Sequence, residues 1–449
     1  MVLVLKVYTE TKEEMVMHKS SDVLWVNINL RLISIIFKFF FHCLCSMHLP
    51  KYSAKNHPLF NCGNINCPIC AKAYSQIRIK KQIVRENFST DGIAPFVGRY
   101  GYPAVNVGIL TPPAEEKDSW LYDAPKYWAA NNFQIPRIID FRSSLINSRD
   151  TFNIKKRNAF LELNQEVSMS SEPTNVDISL KSKPKFRINY DNFMAPTGPY
   201  AELEKAKLTE NPKIHTKVQK VHYDTDLKAN EALVYLYNNE FDENFLSRIL
   251  SVGTLGIEKN RKLVPTRWSI TATDDTLGKH LINEVKKHNE MEYSAFFGSY
   301  LGNYYLILCF PDVWGYELFE AAVSNPERYM TDHENYDGRR SYAENTAGGY
   351  YTVRLAILER LNQLKKQASV LALRFITSDY TLPLGVWVTR EAARNAMDAK
   401  PIEFSSKELM LEYAKKLIRR KFGCEVETYF KKSRLLVEMK NQTKLAEFA

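Results

Sequence analysis

Residues 293–310 read YSAFFGSY, Leu-Gly-Asn, YYLILCF, and no other segment restricts the fold as much. Two apolar, aromatic-rich runs separated by a turn signal predict an antiparallel hairpin. Helices must then cover it. Residues 350–367 carry Val353, Ile357, Leu361 and Leu364 on one helical stripe, with SVLALRFI and LGVWV following as short strands. Upstream, residues 114–165 read as helical, residues 213–223 as a strand, and residues 229–250 as a helix ended by SVGTLG. Residues 405–421 open with a capping box, Ser405 and Glu408, and stop before Gly423. There is no regular βαβ beat. The predicted class is α+β: a mixed, largely antiparallel sheet flanked by helices, with a small N-terminal Cys-rich module.

Residues 23–47 are membrane-like, but Arg31 and Lys38 interrupt them. A spanning helix needs about 20 predominantly apolar residues, so no stable membrane association is expected. A tethered or scaffolding role is the reading this stretch alone would carry. Composition changes abruptly at Met47. Translation is expected to start there, leaving 1–46 as a non-native or disordered extension. The expected organisation is a Cys-rich module at 47–75, an α+β core at 76–438 and a tail at 439–449. Residues 168–186 are the most linker-like interior segment, either a boundary or an exposed strand.

Several clusters suggest chemistry. Cys62-x4-Cys67-x2-Cys70, with His57 nearby, has zinc-like spacing; a metal-free thiol turn is the other reading. Arg99 and Tyr100 lie in the Gly-punctuated segment 95–113, which can hold a phosphate or base or simply form a packed corner. Residues 265–278 hold Arg267, Trp268, Asp274 and Asp275. An Asp pair suits Mg²⁺ or Mn²⁺ with phosphate, or caps a helix starting near Thr276. Residues 332–354 gather His333, Glu334, Arg339, Arg340, Gly348, Gly349, Tyr350 and Arg354. A Gly pair just before a helix at Tyr350 suits an anion, arginines suit phosphate and tyrosines suit base stacking. A salt-bridged surface loop is the alternative. Asp274, Asp275, His333 and Glu334 are the candidate catalytic groups of a metal-dependent phosphoester hydrolase acting on DNA or a nucleotide derivative. Arg374, on an apolar strand, must pair or face a cleft. Lys plus Arg is 61 against 51 Asp plus Glu, a balance of +10 that suits a polyanionic partner or a solvated basic surface. At the C-terminus, Gln442, Leu445 and Phe448 fall on one face of a helical turn.

CGNINCPI, FVGRYGYPAVNVG, KLVPTRWSITATDDTLGK, YAENTAGGYYTVRLAILE, YTLPLGVW and QTKLAEF together resemble the archaeal Nre family of DNA repair proteins, from about Cys62 to Ala449. The resemblance implies action in the DNA damage response, by binding DNA or a nucleotide, in the cytoplasm at the nucleoid. It implies a four-Cys zinc-finger module and a C-terminal PIP motif that docks on the sliding clamp PCNA. Nucleotide-excision repair proteins are further partners that such a role admits. Gln442, Leu445 and Phe448 match the PIP motif, while Ala449 stands where many clamp motifs have a second aromatic. The first Cys pair of the family pattern falls here on Tyr52 and Lys55. Cys62 and Cys67 match the second pair, and Cys70 and His57 are the available substitutes.

Overall fold

The computed structural model describes residues 62, 67–82, 86–155, 158–185 and 197–441. The extension 1–46, His57, and the clamp-motif residues Gln442, Leu445 and Phe448 lie outside the described residues. The fold is α+β. A first helix, α1 (Pro68–Gln82), precedes a six-stranded sheet of β1 (Asn87–Gly92), β2 (Ala94–Val97), β3 (Ala104–Thr111), β4 (Ile146–Asn153), β5 (Thr174–Leu180) and β6 (Tyr200–Leu208). Its order is β1-β5-β6-β4-β3-β2, antiparallel except where β4 meets β6. Helices α2 (Pro125–Ala130), α3 (Ile135–Ser144) and α4 (Ala159–Met169) fall within this half. Leu163 and Val167 of α4 pack on Ile109, Ile146, Val176 and Ile178, so the inward positions of the strands and one stripe of the helix bury each other.

Four helices, α5 (Thr216–Tyr223), α6 (Ala229–Tyr237), α7 (Glu243–Ser251) and α8 (Thr266–Val285), lead to the second half. There follow β7 (Asn289–Glu290), β8 (Ser294–Tyr300), β9 (Asn303–Phe310), β10 (Gly315–Ala322), β11 (Asn325–Glu334), α9 (Ala347–Leu364), β12 (Lys366–Gln367) and β13 (Ser369–Ile376). Then come α10 (Trp387–Asp398), β14 (Ile402–Glu403), α11 (Lys407–Phe422), α12 (Glu427–Lys432) and α13 (Arg434–Asn441). The second sheet has the order β11-β10-β13-β9-β8-β14. Strand β13 lies between β9 and β10, parallel to β10 and antiparallel to β9. Every residue of β10 and β13 is buried, because helices cover both faces. On one face Leu306, Phe319, Leu371 and Phe375 meet Met410, Ile418, Tyr429 and Leu435. On the other, α10 packs on β8 and β9. A Cβ at Gly298 would come within 2.6 Å of the Ala396 backbone, so only glycine allows that approach.

The predicted hairpin is β8–β9. Leu301 and Gly302 both have positive φ, +47° and +75°, which matches the twist of a two-residue hairpin turn. The expectations differ from the structure elsewhere. Residues 146–153 are strand within a segment expected to be helical. Residues 216–223 are helix, because Val218 and Val221 face inward at helical spacing. The helix expected over 229–250 breaks into α6 and α7, with Glu240 at positive φ between them. Strand β5 is internal, so 168–186 contains no exposed strand. LGVWV supplies the start of α10, with Trp387 its first residue. Helix α11 is capped by Ser406, whose Oγ accepts from the Leu409 N–H, not by Ser405. Among the described residues no helix is long and apolar enough to cross a membrane.

Candidate functional site

Asp274 and Asp275 sit in the middle of α8, so neither caps a helix. Asp274 is fully buried and accepts both its hydrogen bonds from one Arg390 nitrogen, at 2.7 and 2.8 Å. Arg390 also donates to Glu243 (3.0 Å), and Glu243 accepts from Arg394 (2.9 Å). Arg394 completes the cluster with Glu359 and Glu391. Four carboxyl groups thus face two guanidiniums. Burial works against the charge of Glu243, but Arg394 and Arg390 outweigh it and hold its carboxyl well below the usual range. Burial pushes Asp274 up to about 6, against the pull of Arg390, and raises Glu391 as well.

A carboxyl raised in the folded state binds its proton more tightly there than in the unfolded chain. Its stabilising contribution is complete below the ordinary value of 3.8 and declines as pH rises towards about 6. Asp274→Asn abolishes this titration. The stability of the variant relative to the parent chain is therefore expected to rise across that window and level off above it. Urea midpoints at a series of pH values read the difference; a flat or falling difference would refute the assignment.

Asp275 is the more exposed neighbour. Its Oδ1 accepts from Arg354 and its Oδ2 from Lys279, both at 2.7 Å. Burial opposes its charge, yet these two cations lower its pKa. Arg354 also donates to Glu334 at 2.8 Å, and the other Glu334 oxygen accepts from the Trp314 indole at 3.2 Å. Burial disfavours the charge on Arg354, but Glu334 and Asp275 more than compensate and raise its pKa. All four oxygens of Asp275 and Glu334 are therefore engaged. Mg²⁺ or Mn²⁺ would have to displace Arg354, so these residues do not fit a divalent cation as they stand. His333, largely buried, faces Glu438 of α13 at 3.2 Å.

The segment 335–346 closes on itself. Asp332 accepts from the backbone N–H groups of Glu344, Asn345 and Thr346, the Thr346 hydroxyl and Arg339. An internal carboxylate thus already binds the three residues that lead into α9, and its negative charge opposes a second anion there. The helix begins at Ala347, not Tyr350, which puts Gly348 and Gly349 in its first turn. A Cβ at Gly348 would sit 2.7 Å from Val386, and one at Gly349 2.7 Å from a Glu320 oxygen. These glycines serve close packing. Tyr350 is fully buried against Tyr316, with ring centres 4.9 Å apart, so it offers no face to a base. Arg340 is exposed, whereas Arg339 is tied to Asp332 and to the carbonyls of His333 and Tyr342. Arg374 pairs with Glu320 at 2.6 Å and donates to Asn303.

A second group of predicted residues does converge. The loop between β2 and β3 turns at Gly101 (φ +81°), where a Cβ would meet the Ala104 carbonyl at 2.7 Å. That turn projects Arg99 and Tyr100, the tyrosine 68% exposed and the guanidinium 4.9 Å from its ring centre. The Val97 N–H donates to Thr266 Oγ1 at 3.0 Å, fixing the loop to the first turn of α8. Tyr102 then packs on Trp268, with ring centres 5.5 Å apart, next to exposed Arg267. Neither 95–104 nor 265–273 contains an acidic residue. Two arginines and three aromatics from segments about 170 residues apart therefore share one corner, an arrangement suited to phosphates and bases.

Among the described residues, Cys62, Cys67 and Cys70 are the one set of three metal-binding side chains whose ligand atoms converge, all within 4.8 Å of one another. Burial pushes the Cys67 thiol up to about 11. Three sulfurs at that separation fit a soft ion such as zinc, which takes a tetrahedral set of sulfur and nitrogen ligands. Tyr102 is one of the two tyrosines of the 95–113 loop in the sequence, but its ring contact with Trp268 depends on the fold. Sequence reading missed Glu243, Glu359 and Arg394, which carry no motif, and Asp332, whose capping role appears only when 344–346 folds back.

Family models described as "Archaeal Nre, N-terminal" and "Archaeal Nre, C-terminal" match residues 61–326 and 334–448. DNA repair protein NreB of Archaeoglobus fulgidus is 34% identical over 398 residues, covering 86% of this chain and 97% of that protein. DNA repair protein NreA of the same organism is 36% identical over 372 residues, covering 80% and 92%. DNA repair protein NreA of Haloferax volcanii is 36% identical over 327 residues, covering 69% and 78%. No solved structure matches.

Proposed function

This chain belongs to the archaeal Nre family, and on that premise we propose that it is a DNA repair protein that binds nucleic acid and is recruited by the sliding clamp PCNA. The observation that carries the nucleic-acid half is the packing of Tyr102 on Trp268, which gathers Arg99, Tyr100 and Arg267 on one corner. Arginines there bind phosphates, and the exposed Tyr100 ring stacks a base. The Cys62, Cys67 and Cys70 sulfurs hold zinc in this reading, with a fourth ligand from outside the described residues. The ion supplies folding energy to the module rather than reactivity. Asp274 and Asp275 then act as helix-to-helix struts, and Glu334 as a strand-to-helix one, and not as a hydrolytic centre.

Fluorescence anisotropy with labelled single- and double-stranded oligonucleotides tests the corner. Binding should weaken steeply with salt, and Arg99→Ala or Arg267→Ala should each reduce the log–log salt slope by about 0.7–0.9. Trp268→Ala should lower affinity about tenfold at constant salt, through loss of the stacking platform. An absence of binding even at low salt would end this half of the reading.

The clamp half rests on Gln442, Leu445 and Phe448 and on the family's role. Titrating PCNA with the full chain and with Phe448→Ala should show at least about a thirtyfold loss in the variant, the size of a buried aromatic anchor. Equal affinity of the two proteins would remove the tail from the mechanism.

A further inference from the structure

The end of β4, the end of α5 and the strand-like segment 261–263 enclose a cavity of about 300 Å³ that none of the groups above uses. Its distinctive feature is a pair of lysines. The Ile154 carbonyl accepts from the Leu263 N–H at 3.0 Å, which sets Lys155 and Lys262 side by side on adjacent backbones. The backbone beneath them is firmly held. The Val264 N–H donates to the Ser251 carbonyl at 2.8 Å, and a Cβ at Gly253 (φ +71°) would lie 2.7 Å from the Lys262 carbonyl oxygen. Neither lysine has an ion-pair partner among the described residues. Burial lowers the pKa of Lys262, and the nearby Lys155 charge lowers it further. Two carboxylates, Glu162 and Glu258, and the guanidinium of Arg261 also line the cavity. Tyr223, 77% exposed, forms another wall.

Two lysines anchored on adjacent backbones place like charges near one another, and an anion between their ammonium groups relieves that repulsion. We infer that this cavity is a phosphate site for a nucleotide unit, with the phosphate between Lys155 and Lys262 and the base against Tyr223. The volume suits one such unit, and aromatic walls stack any base. A free mononucleotide and a unit of a nucleic-acid strand share this chemistry. The inference goes beyond the Arg99–Trp268 corner and does not need it.

The test uses the full-length chain and an amine-acetylating reagent at neutral pH, with lysine labelling read by mass spectrometry. Its lowered pKa should make Lys262 label faster than Lys416, which is 77% exposed. Inorganic pyrophosphate, dAMP and an oligonucleotide with or without a 5′-phosphate are the probes. At least one should slow labelling of Lys155 and Lys262 about tenfold while leaving Lys416 unchanged, the protection expected of charge-assisted hydrogen bonds. Protection by dAMP alone would identify a free nucleotide. Protection by the oligonucleotide only when it is 5′-phosphorylated would identify a strand end, and protection regardless of that phosphate an internal unit. Lys262→Gln should weaken the protecting probe about tenfold. If no probe protects Lys262 at millimolar concentration, the site does not exist. Protection that survives in Trp268→Ala while oligonucleotide anisotropy is lost would separate this pocket from the corner.

Discussion

Arg390→Met is expected to lose about 3–5 kcal/mol of folding stability, the cost of leaving a buried carboxylate without its partner. Arg390 comes from α10, Asp274 from α8 and Glu243 from α7, so one guanidinium joins three helices. The methionine keeps the packing volume and removes the charge. Glu243 retains Arg394, but Asp274, fully buried, keeps no cation within hydrogen-bonding distance. The informative control is the double variant Arg390→Met/Asp274→Leu, which replaces the pair with apolar surface and should recover most of the loss. Urea or guanidinium unfolding of the three proteins decides the matter. A single variant within about 1 kcal/mol of the parent would show that the pair contributes little, as exposed pairs do.

Glu317→Ala should be nearly as damaging, at about 3 kcal/mol, and its effect should be local. Glu317 is a buried residue of β10 whose carboxylate takes the place of a cap for α13. It accepts from the Ser433 hydroxyl at 2.5 Å and from the N–H groups of Arg434 and Leu435, each at 3.1 Å. Alanine removes the acceptor of all three donors, two of them in buried bonds, and hydrogen bonds to a charged group are the stronger kind. Leu435 and Leu436 pack on the second sheet only while α13 is docked. Hydrogen exchange should therefore accelerate across Arg434–Asn441 well before the rest of the chain. Unchanged protection there would mean that apolar packing alone holds the helix. Under the proposed clamp recruitment, the variant should still bind PCNA, because Gln442, Leu445 and Phe448 follow α13 in the sequence.

The local elements were legible where one signal dominated. The hairpin at 293–310 reads from its composition, and α11 stops where Gly423 takes φ +69°. Helix α5 reads as a strand in the sequence because valines at 218 and 221 suit either state, and only tertiary burial chooses. Segment 384–388 combines Gly, Val and Trp, which suggests β structure, yet Trp387 starts a helix whose Arg390 must reach Asp274. That requirement is not written locally, since the partner lies 116 residues away. The same distance hid the fate of the acidic candidates. Adjacent Asp274 and Asp275 look like a metal pair until Arg390 and Arg354 arrive from the far half of the chain. The Gly348-Gly349 pair likewise looks like an anion cradle until Val386 and Glu320 pack against it and Asp332 puts its charge just ahead of the helix. Arg374, a lone cation on an apolar strand, has two options, pairing or facing a cleft, and the fold takes the first, with Glu320. The corner was readable as parts, Arg99-Tyr100 and Arg267-Trp268, but not as one surface.

The position of β13 sets an order of events during synthesis. Strands β9 and β10 leave the ribosome almost together, separated by residues 311–314, yet they never pair with each other. Their facing edges remain open until residues 369–376 emerge and wedge between them. Arg374 meets Glu320, which was translated 54 residues earlier. A nascent chain therefore carries two apolar strands with unpaired edges for the whole time it takes to make α9, the interval in which such edges invite aggregation and chaperone capture. Arg374 brings its charge to Glu320 on one side and Asn303 on the other, so its arrival marks the register in which the slot closes.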